Sequence, residues 1–477
     1  MPYLSWSIVL KSSVVGVFLY LASMFLFFNK GAGIFVFAAL ILIFFLKCLK
    51  NIKYGLALII IELIVSSHGR LITLPNSYLS LRISWFAILM IIFFVHYLRR
   101  KEQDGLKYLF PKPLIAVFIM VVIGFLNGFL RSHDLSKVFF DGNGYLYLLI
   151  IPVFLFVLNR DKGEGVKFFI SLVMGSLIAL SLAILAIFFV FSNVYLEDFS
   201  WIYKWARDTR LSEITWAGGN YFRIFLPSQI WLIPGVFLAW QLYKDSGYLR
   251  HLIFSSLFLA GLFFSLSRSF GVGLLFGFAV CFFLFFKRGI PIKRSLAELF
   301  FILSLSAYIV GIAINVPGNV GGIGGDILKS RISGFEEPGI KSRLSQIQPL
   351  LNAIKENPVL GSGFGREVTY ISYDPRVRKT QPDGLYTTFA FEWGYLDLLL
   401  KLGIVGFGVI AYFLVKLTRG LNNIKEYGWV WVAGLVVILV THAFSPYLNH
   451  PLGLGYIAFV LSLINAQSNN NNTDSNA

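Results

Sequence analysis

The chain has 477 residues, 57% of them hydrophobic and 14% charged, with 41 Lys and Arg against 24 Asp and Glu for a formal net charge of +17. That apolar fraction excludes a water-soluble globule and leaves the lipid bilayer as solvent. With no basic stripe on a soluble segment, the charge gives no support for a nucleic-acid partner.

A bilayer core of about 30 Å needs about 20 apolar residues per helical crossing, since each backbone polar group must be satisfied within its own segment. About fourteen stretches meet this test, centred near Phe18, Leu40, Ile60, Leu89, Val121, Pro152, Leu180, Ile233, Leu259, Gly277, Ser306, Leu399, Val436 and Gly455. The expected fold is an all-α polytopic membrane protein with both termini cytoplasmic. Basic residues test that orientation. Lys47, Lys50, Lys53, Arg99, Arg100, Lys101, Lys107, Lys112, Arg160, Lys162, Lys167 and the clusters at 287–294 and 416–425 all fall in loops assigned inside. The short outer loops are poorer in them, as the positive-inside bias requires, and anionic lipid is their natural partner. The N-terminal apolar run reads as a first membrane helix and not as a cleaved signal.

The chain divides into membrane helices at 1–192, an outer aromatic loop at 193–221, helices at 222–315, a long outer segment at 316–385, helices at 386–466 and a polar, disordered tail at 467–477. The two long outer segments are where function is expected. The first carries Trp201, Trp205 and Trp216 with Arg210. Aromatic rings suit the C–H faces of sugars and equally anchor loops at a membrane interface; both readings stand.

The second segment starts glycine-rich and irregular up to Lys341. From Ser342 to Asn357, Leu344, Ile347, Leu350, Leu351 and Ile354 recur at helical spacing and leave Gln346, Gln348 and Lys355 on the polar face. Pro349 should kink this surface helix, Asn357 and Pro358 end it, and the following "GSGFG" can bring backbone close to a ligand.

Three arginines stand at outer ends of spans: Arg223 in "NYFRIFLPSQ", Arg268 in "FSLSRSFGVG" and Arg343 at the head of the amphipathic helix. One alone could snorkel to headgroups. Three converging would clamp a doubly charged phosphate group, because guanidinium pairs bidentately with phosphate oxygens. Glu392, beside Trp393, is placed in apolar surroundings that should raise its pKa toward that of a useful proton acceptor; the alternative is an interfacial glutamate paired with a cation. Asp397 and Lys401 lie one turn apart and should pair, and Glu62 is expected to pair with Arg70. Cys48 and Cys281 read as packing residues with no disulfide. No phosphate-binding loop with Lys-Ser/Thr occurs, no outer Asp-x-Asp pair suggests a divalent metal, and the six histidines are scattered singly. No metal or other cofactor is expected.

Three stretches resemble a known family: "LSRSFGVGLLFG", "RLSQIQPLLNAIKENPVLGSGFG" and "EWGYLDLLLKLGIVGFG", with Arg223 and Pro227 as a fourth point of likeness. The resemblance covers residues 220–415 and is to the O-antigen ligase and polymerase family of bacterial inner membranes, which includes the Wzy-type polysaccharide polymerases and looks related to GT-C glycosyltransferases. It implies transfer of a growing glycan from undecaprenyl pyrophosphate to a hydroxyl of the next lipid-linked repeat, at a site facing the periplasm. In that reading Arg223, Arg268 and Arg343 hold the pyrophosphate and Glu392 is the general base. Trp201, Trp205, Trp216 and Arg210 hold sugars, and "GSGFG" lets glycan pass close to backbone. A chain-length regulator and a flippase are the implied partners.

One departure matters. Ligases of the family usually carry a His-Asn pair where this chain has Glu392-Trp393, which favours the polymerase branch over the ligase or oligosaccharyltransferase. A flippase is the non-enzyme alternative, but the sequence lacks the repeated halves common in transporters.

Overall fold

Long apolar runs dictate helices, and helices dominate the computed structural model, which describes residues 4–99, 111–160, 164–193, 200–218, 221–315, 338–424 and 427–474. In chain order the N-terminal helices are α1 (Trp6–Phe28), α2 (Gly33–Lys50), α3 (Ile52–Val65), α4 (Leu81–Arg99), α5 (Lys112–Leu130), α6 (Leu135–Gly142), α7 (Ile150–Arg160) and α8 (Glu164–Asn193). A short helix α9 (Ser200–Asp208) and a hairpin of β1 (Glu213–Gly218) and β2 (Tyr221–Phe225) follow. Next come α10 (Leu232–Ser246), α11 (Leu249–Phe263), α12 (Arg268–Lys287), α13 (Ile292–Asn315) and α14 (Pro338–Glu356). The chain ends with β3 (Val368–Ile371), α15 (Pro375–Thr380), β4 (Leu385–Thr388), α16 (Gly394–Asn422), α17 (Gly428–His442) and α18 (Pro451–Asp474).

Each of the fourteen expected centres falls within a helix or its adjoining 3-10 turn. Among the described residues, however, nine helices are long and apolar enough to cross a membrane alone, and Leu249–Phe263, Gly428–His442 and Pro451–Ile464 are shorter apolar helices. Helix α3 is another short one: its 14 residues span roughly 21 Å at 1.5 Å per residue. It survives by burial, its sequence Ile59 to Val65 being enclosed by neighbouring helices. Small residues permit such packing. A Cβ on Gly175 of α8 would lie 2.2 Å from the Val9 carbonyl oxygen of α1, so only glycine lets these two helices approach.

The all-α expectation needs correction. Two antiparallel hairpins, β1–β2 and β3–β4, stand on the two long outer segments. The run "YFRIF" is rich in aromatic and β-branched residues that suit a strand, and Ile224 donates its N–H to the Phe264 carbonyl, fastening the hairpin to the end of α11. Helix α18 continues to Asp474, so 467–474 is helical where a disordered tail was expected; an established helix gains one hydrogen bond per added residue.

Helix α14 begins at Pro338, ahead of Ser342, and continues through Pro349. Its buried stripe is Ser342, Gln346, Leu350 and Ala353, while Leu344 and Leu351 stay exposed. The helix is therefore rotated from the expected apolar face, because Ser342 accepts the N–H of Tyr373 at 2.7 Å and Ser345 donates to the Ile371 carbonyl, drawing the polar side onto the β3 segment. The glycine-rich start expected at 316–337 lies outside the described residues.

Glu62 pairs with Arg82 and not with Arg70: Arg82 Nε donates to Glu62 Oε2 at 2.7 Å, and its Nη1 donates to the Ser67 carbonyl at 3.1 Å. Arg82 opens α4, which packs along α3, whereas Arg70 sits in the connecting loop over the Tyr78 ring.

Candidate active site

A cavity of about 620 Å³ is lined by residues from eight separate stretches of chain, among them Arg223, Arg268, Arg343, Arg376, Glu392, His68 and His450. The three arginines singled out from the sequence thus come together in one place. Four arginines face three carboxylates, Glu213, Asp374 and Glu392, around this space.

Each side chain is fixed by local structure. Arg268 is the first residue of α12, after a turn in which Leu266 takes a positive φ of 44° and Ser265 Oγ accepts the Ser267 N–H at 3.1 Å. The helix N-terminus there adds its own unpaired N–H groups and positive dipole end to the guanidinium. Arg223, on β2, donates from Nε to the Ser265 carbonyl at 2.9 Å, so the hairpin and the Arg268 turn are tied together. Its Nη1 lies 3.8 Å from Glu213.

Arg343 projects from α14 and is ion-paired with Glu392, while Trp393 donates its indole N–H to the Arg343 carbonyl at 2.7 Å. Burial and the nearby Arg268 charge hold the Arg343 guanidinium below its ordinary pKa, with Glu213 opposing them. A site where arginines repel one another is a site that an anion relieves. Arg376 is engaged locally with Asp374, through Nε at 3.1 Å and Nη2 at 2.7 Å.

Glu392 does not have the apolar surroundings expected of it. Its side chain is 49% exposed and faces a guanidinium, the paired alternative raised by the sequence.

Two histidines complete the cavity. His68, just past α3, and His450, just before α18, pack edge to face with ring centroids 5.4 Å apart. His68 is exposed on its cavity side and crowded by chain on the other. That crowding, with Arg82, Arg210 and Arg70 nearby, lowers it to about 4, and burial together with His68 and Arg82 pushes His450 well below the ordinary histidine range. Both rings are neutral at pH 7 and able to accept a hydrogen bond. Sequence reading passed over them because each stands alone in the chain; "SSHGR" and "LNHP" at outer helix ends were the available signals. Among the described residues no group of three or more His, Cys, Asp or Glu has the arrangement of a metal site.

The aromatic loop lies apart from this lining. Trp205 is 2% exposed and donates its indole N–H to Ser23 Oγ at 3.0 Å, which makes it a packing residue beyond the reach of a sugar. Trp201 meets Phe28 edge-on at 4.9 Å, the contact of an anchor at the end of α1. Trp216 is exposed on β1, and Arg210 closes α9 with a positive φ of 51°. None of these four lines the cavity.

The "GSGFG" turn is likewise turned inward. Ser362 and Gly363 donate their N–H groups to the carbonyls of Leu400 and Lys401, Phe364 donates to Gly124, and Gly365 to Asp141 Oδ2 at 2.8 Å. Gly361, Gly363 and Gly365 all have positive φ, and a Cβ on Gly363 would sit 2.2 Å from the Gly128 nitrogen. The close approach that these glycines permit is to α5, α6 and α16, and it leaves no room for a glycan. Beneath the turn, Lys401 is ion-paired with both Asp141 and Asp397, and Asn449 donates to Asp397. The Asp397–Lys401 pair expected from spacing is present, extended into a buried network that holds the loop following α14.

A search among curated proteins finds no match to the chain. Residues 253–411, about a third of the chain, match a family described as O-Antigen ligase. The matched stretch contains Arg268, Arg343, Arg376 and Glu392, while His68, Arg223 and His450 lie outside it. Over this C-terminal region the chain is similar to that family.

Proposed function

We propose that the protein transfers a glycan from a lipid-linked diphosphate to an acceptor hydroxyl in the membrane of a bacterium, with the arginine cavity facing the periplasm. The supporting observation is the convergence of Arg223, Arg268 and Arg343 on one cavity beside Glu392. In this reading the acceptor oxygen bonds to the anomeric carbon as the bond from that carbon to the diphosphate breaks. The bonding electrons leave on the diphosphate, where arginines and the α12 N-terminus stabilise them. Arg343 moves from Glu392 onto the diphosphate, and the freed carboxylate takes the hydroxyl proton.

The description of the matched family favours a ligase, in which the acceptor is something other than the next lipid-linked repeat. The polymerase reading rests on a different observation: Glu392-Trp393 stands where ligases of the family usually carry His-Asn. Deleting the gene and displaying surface and lipid-linked glycans separates them. Loss of a ligase leaves long chains on the carrier lipid; loss of a polymerase leaves core capped by one repeat. Repeats trapped inside the cell would indicate a flippase and overturn both. Replacing Arg343 by alanine at normal expression should reproduce the deletion, and an unchanged glycan ladder would refute the role given to it.

A further inference from the structure

The arginine cavity is not the one concave site among the described residues. At the other end of α3 lies a second cavity, of about 550 Å³, formed where α2 ends, α3 begins and α4 ends, with Phe156 and Val157 of α7 behind. Its lining has two chemistries. Lys50, Lys53, Arg99 and His96 supply the polar part, and among the described residues no carboxylate lines it. Phe45, Leu49, Ile91 and Val95 supply exposed apolar walls.

Lys50, His96 and Arg99 stand at helix C-termini, where basic residues are ordinary because they offset the negative end of the helix dipole, whereas Lys53 stands in the first turn of α3. What distinguishes these is their gathering around a concave site that continues into apolar surface. Lys53 is held at its wall, with Nζ 4.3 Å from the centroid of the Phe168 ring. Asn51 caps α3 by accepting the Lys53 N–H at 2.9 Å, which fixes the sharp joint between α2 and α3 and so the shape of the cavity. The volume is in the range of small-ligand sites.

A ligand that satisfies both chemistries has an anionic head and hydrocarbon tails, and it lies in the leaflet opposite the arginine cavity, because α3 and α4 run between the two. We infer that this cavity is a discrete binding site for an anionic phospholipid of that leaflet, its phosphate held by Lys50, Lys53 and Arg99 and its acyl chains lying on Leu49, Ile91 and Val95. Occupancy would fasten α2 to α4 at that end. The inference is independent of the reaction at the arginine cavity.

The test is native mass spectrometry of the full chain in neutral detergent, titrated separately with phosphatidylglycerol, phosphatidylcholine and undecaprenyl phosphate. Phosphatidylglycerol should be retained in preference to phosphatidylcholine. Removing a juxtamembrane charge weakens such binding about fivefold, so K50Q/K53Q/R99Q should lose on the order of a hundredfold. K287Q/K293Q, which removes two exposed lysines outside the cavity, should bind as the parent does. If the triple variant does not fold, K50Q and R99Q singly should each show the fivefold loss. Equal retention of the two phospholipids, an equal loss in the control variant, or tighter binding of undecaprenyl phosphate than of phosphatidylglycerol that K50Q/K53Q/R99Q abolishes would each overturn the assignment.

Discussion

Arg343 and Glu392, 49 residues apart in sequence, form an ion pair at the mouth of the arginine cavity, and the residue next to Glu392 accepts no part in it but secures it: the Trp393 indole donates to the Arg343 carbonyl at 2.7 Å. One guanidinium is thereby aligned between a carboxylate and the neighbouring Arg268. The pair is half exposed, so its own contribution to stability is small, and its significance is in what it holds ready.

Replacing Arg343 by lysine keeps the charge but loses the planar, bidentate donor. Glycan transfer should fall by about 10²-fold for R343K and R268A alike, the scale of losing one preorganised donor to a developing anion. E392Q should lower transfer by about 10² to 10⁴ with little effect on substrate retention. Single-turnover transfer from a lipid-linked donor in detergent measures all three; retention of full rate in E392Q would remove that residue from the chemistry.

W393F keeps an aromatic ring beside Phe444, 6.0 Å between centroids in the parent, and deletes the donor to Arg343 together with part of the indole's packing surface. The expected outcome is a near-parental unfolding midpoint, consistent with about 1 kcal/mol for one hydrogen bond, together with a clear drop in transfer. A drop confined to the unfolding midpoint would show a structural role alone.

Lys401 is buried between Asp141 and Asp397. Removing one partner of a buried pair leaves an uncompensated charge and costs about 3 to 5 kcal/mol. K401M should therefore be poorly expressed and unfold early, and D141N should also loosen the "GSGFG" turn, because Asp141 accepts the Gly365 N–H. Protease sensitivity around 361–366 reads that loosening directly.

Gly403 interrupts α16 with φ 64°, and a Cβ there would stand 2.2 Å from the Val359 carbonyl oxygen. G403A combines a forbidden contact with left-handed strain of about 1 to 3 kcal/mol and should abolish stable protein. G339A, at a position with open space around it, should be neutral or better, since alanine is the stronger helix former. Thermal unfolding of the two variants gives the comparison.

His68 has a folded-state pKa of about 4, below that of an unfolded histidine. The folded protein then binds fewer protons than the unfolded chain between those values. Its contribution to stability is complete above about pH 6.5 and is lost as pH falls toward 4. The unfolding midpoint should decline over that window, and H68Q should flatten the decline; an unchanged slope would assign it to other groups.

The sequence by itself determined the membrane as solvent, the order of the helices and the arginine positions worth following, because hydropathy and helical period are properties of contiguous residues. It could also pair Asp397 with Lys401, which lie one turn apart. Only the tertiary structure decided which of the expected helices are long enough to cross alone, that Glu62 meets Arg82, that Trp205 is core, and that "GSGFG" closes on helices and not on a ligand. It alone brought His68 and His450 into the cavity with Arg223, Arg268 and Arg343. The physical reason is the same in each case: desolvating a charge or a backbone group costs enough that it must find a partner, and in a bundle of helices that partner is usually distant in sequence and adjacent in space.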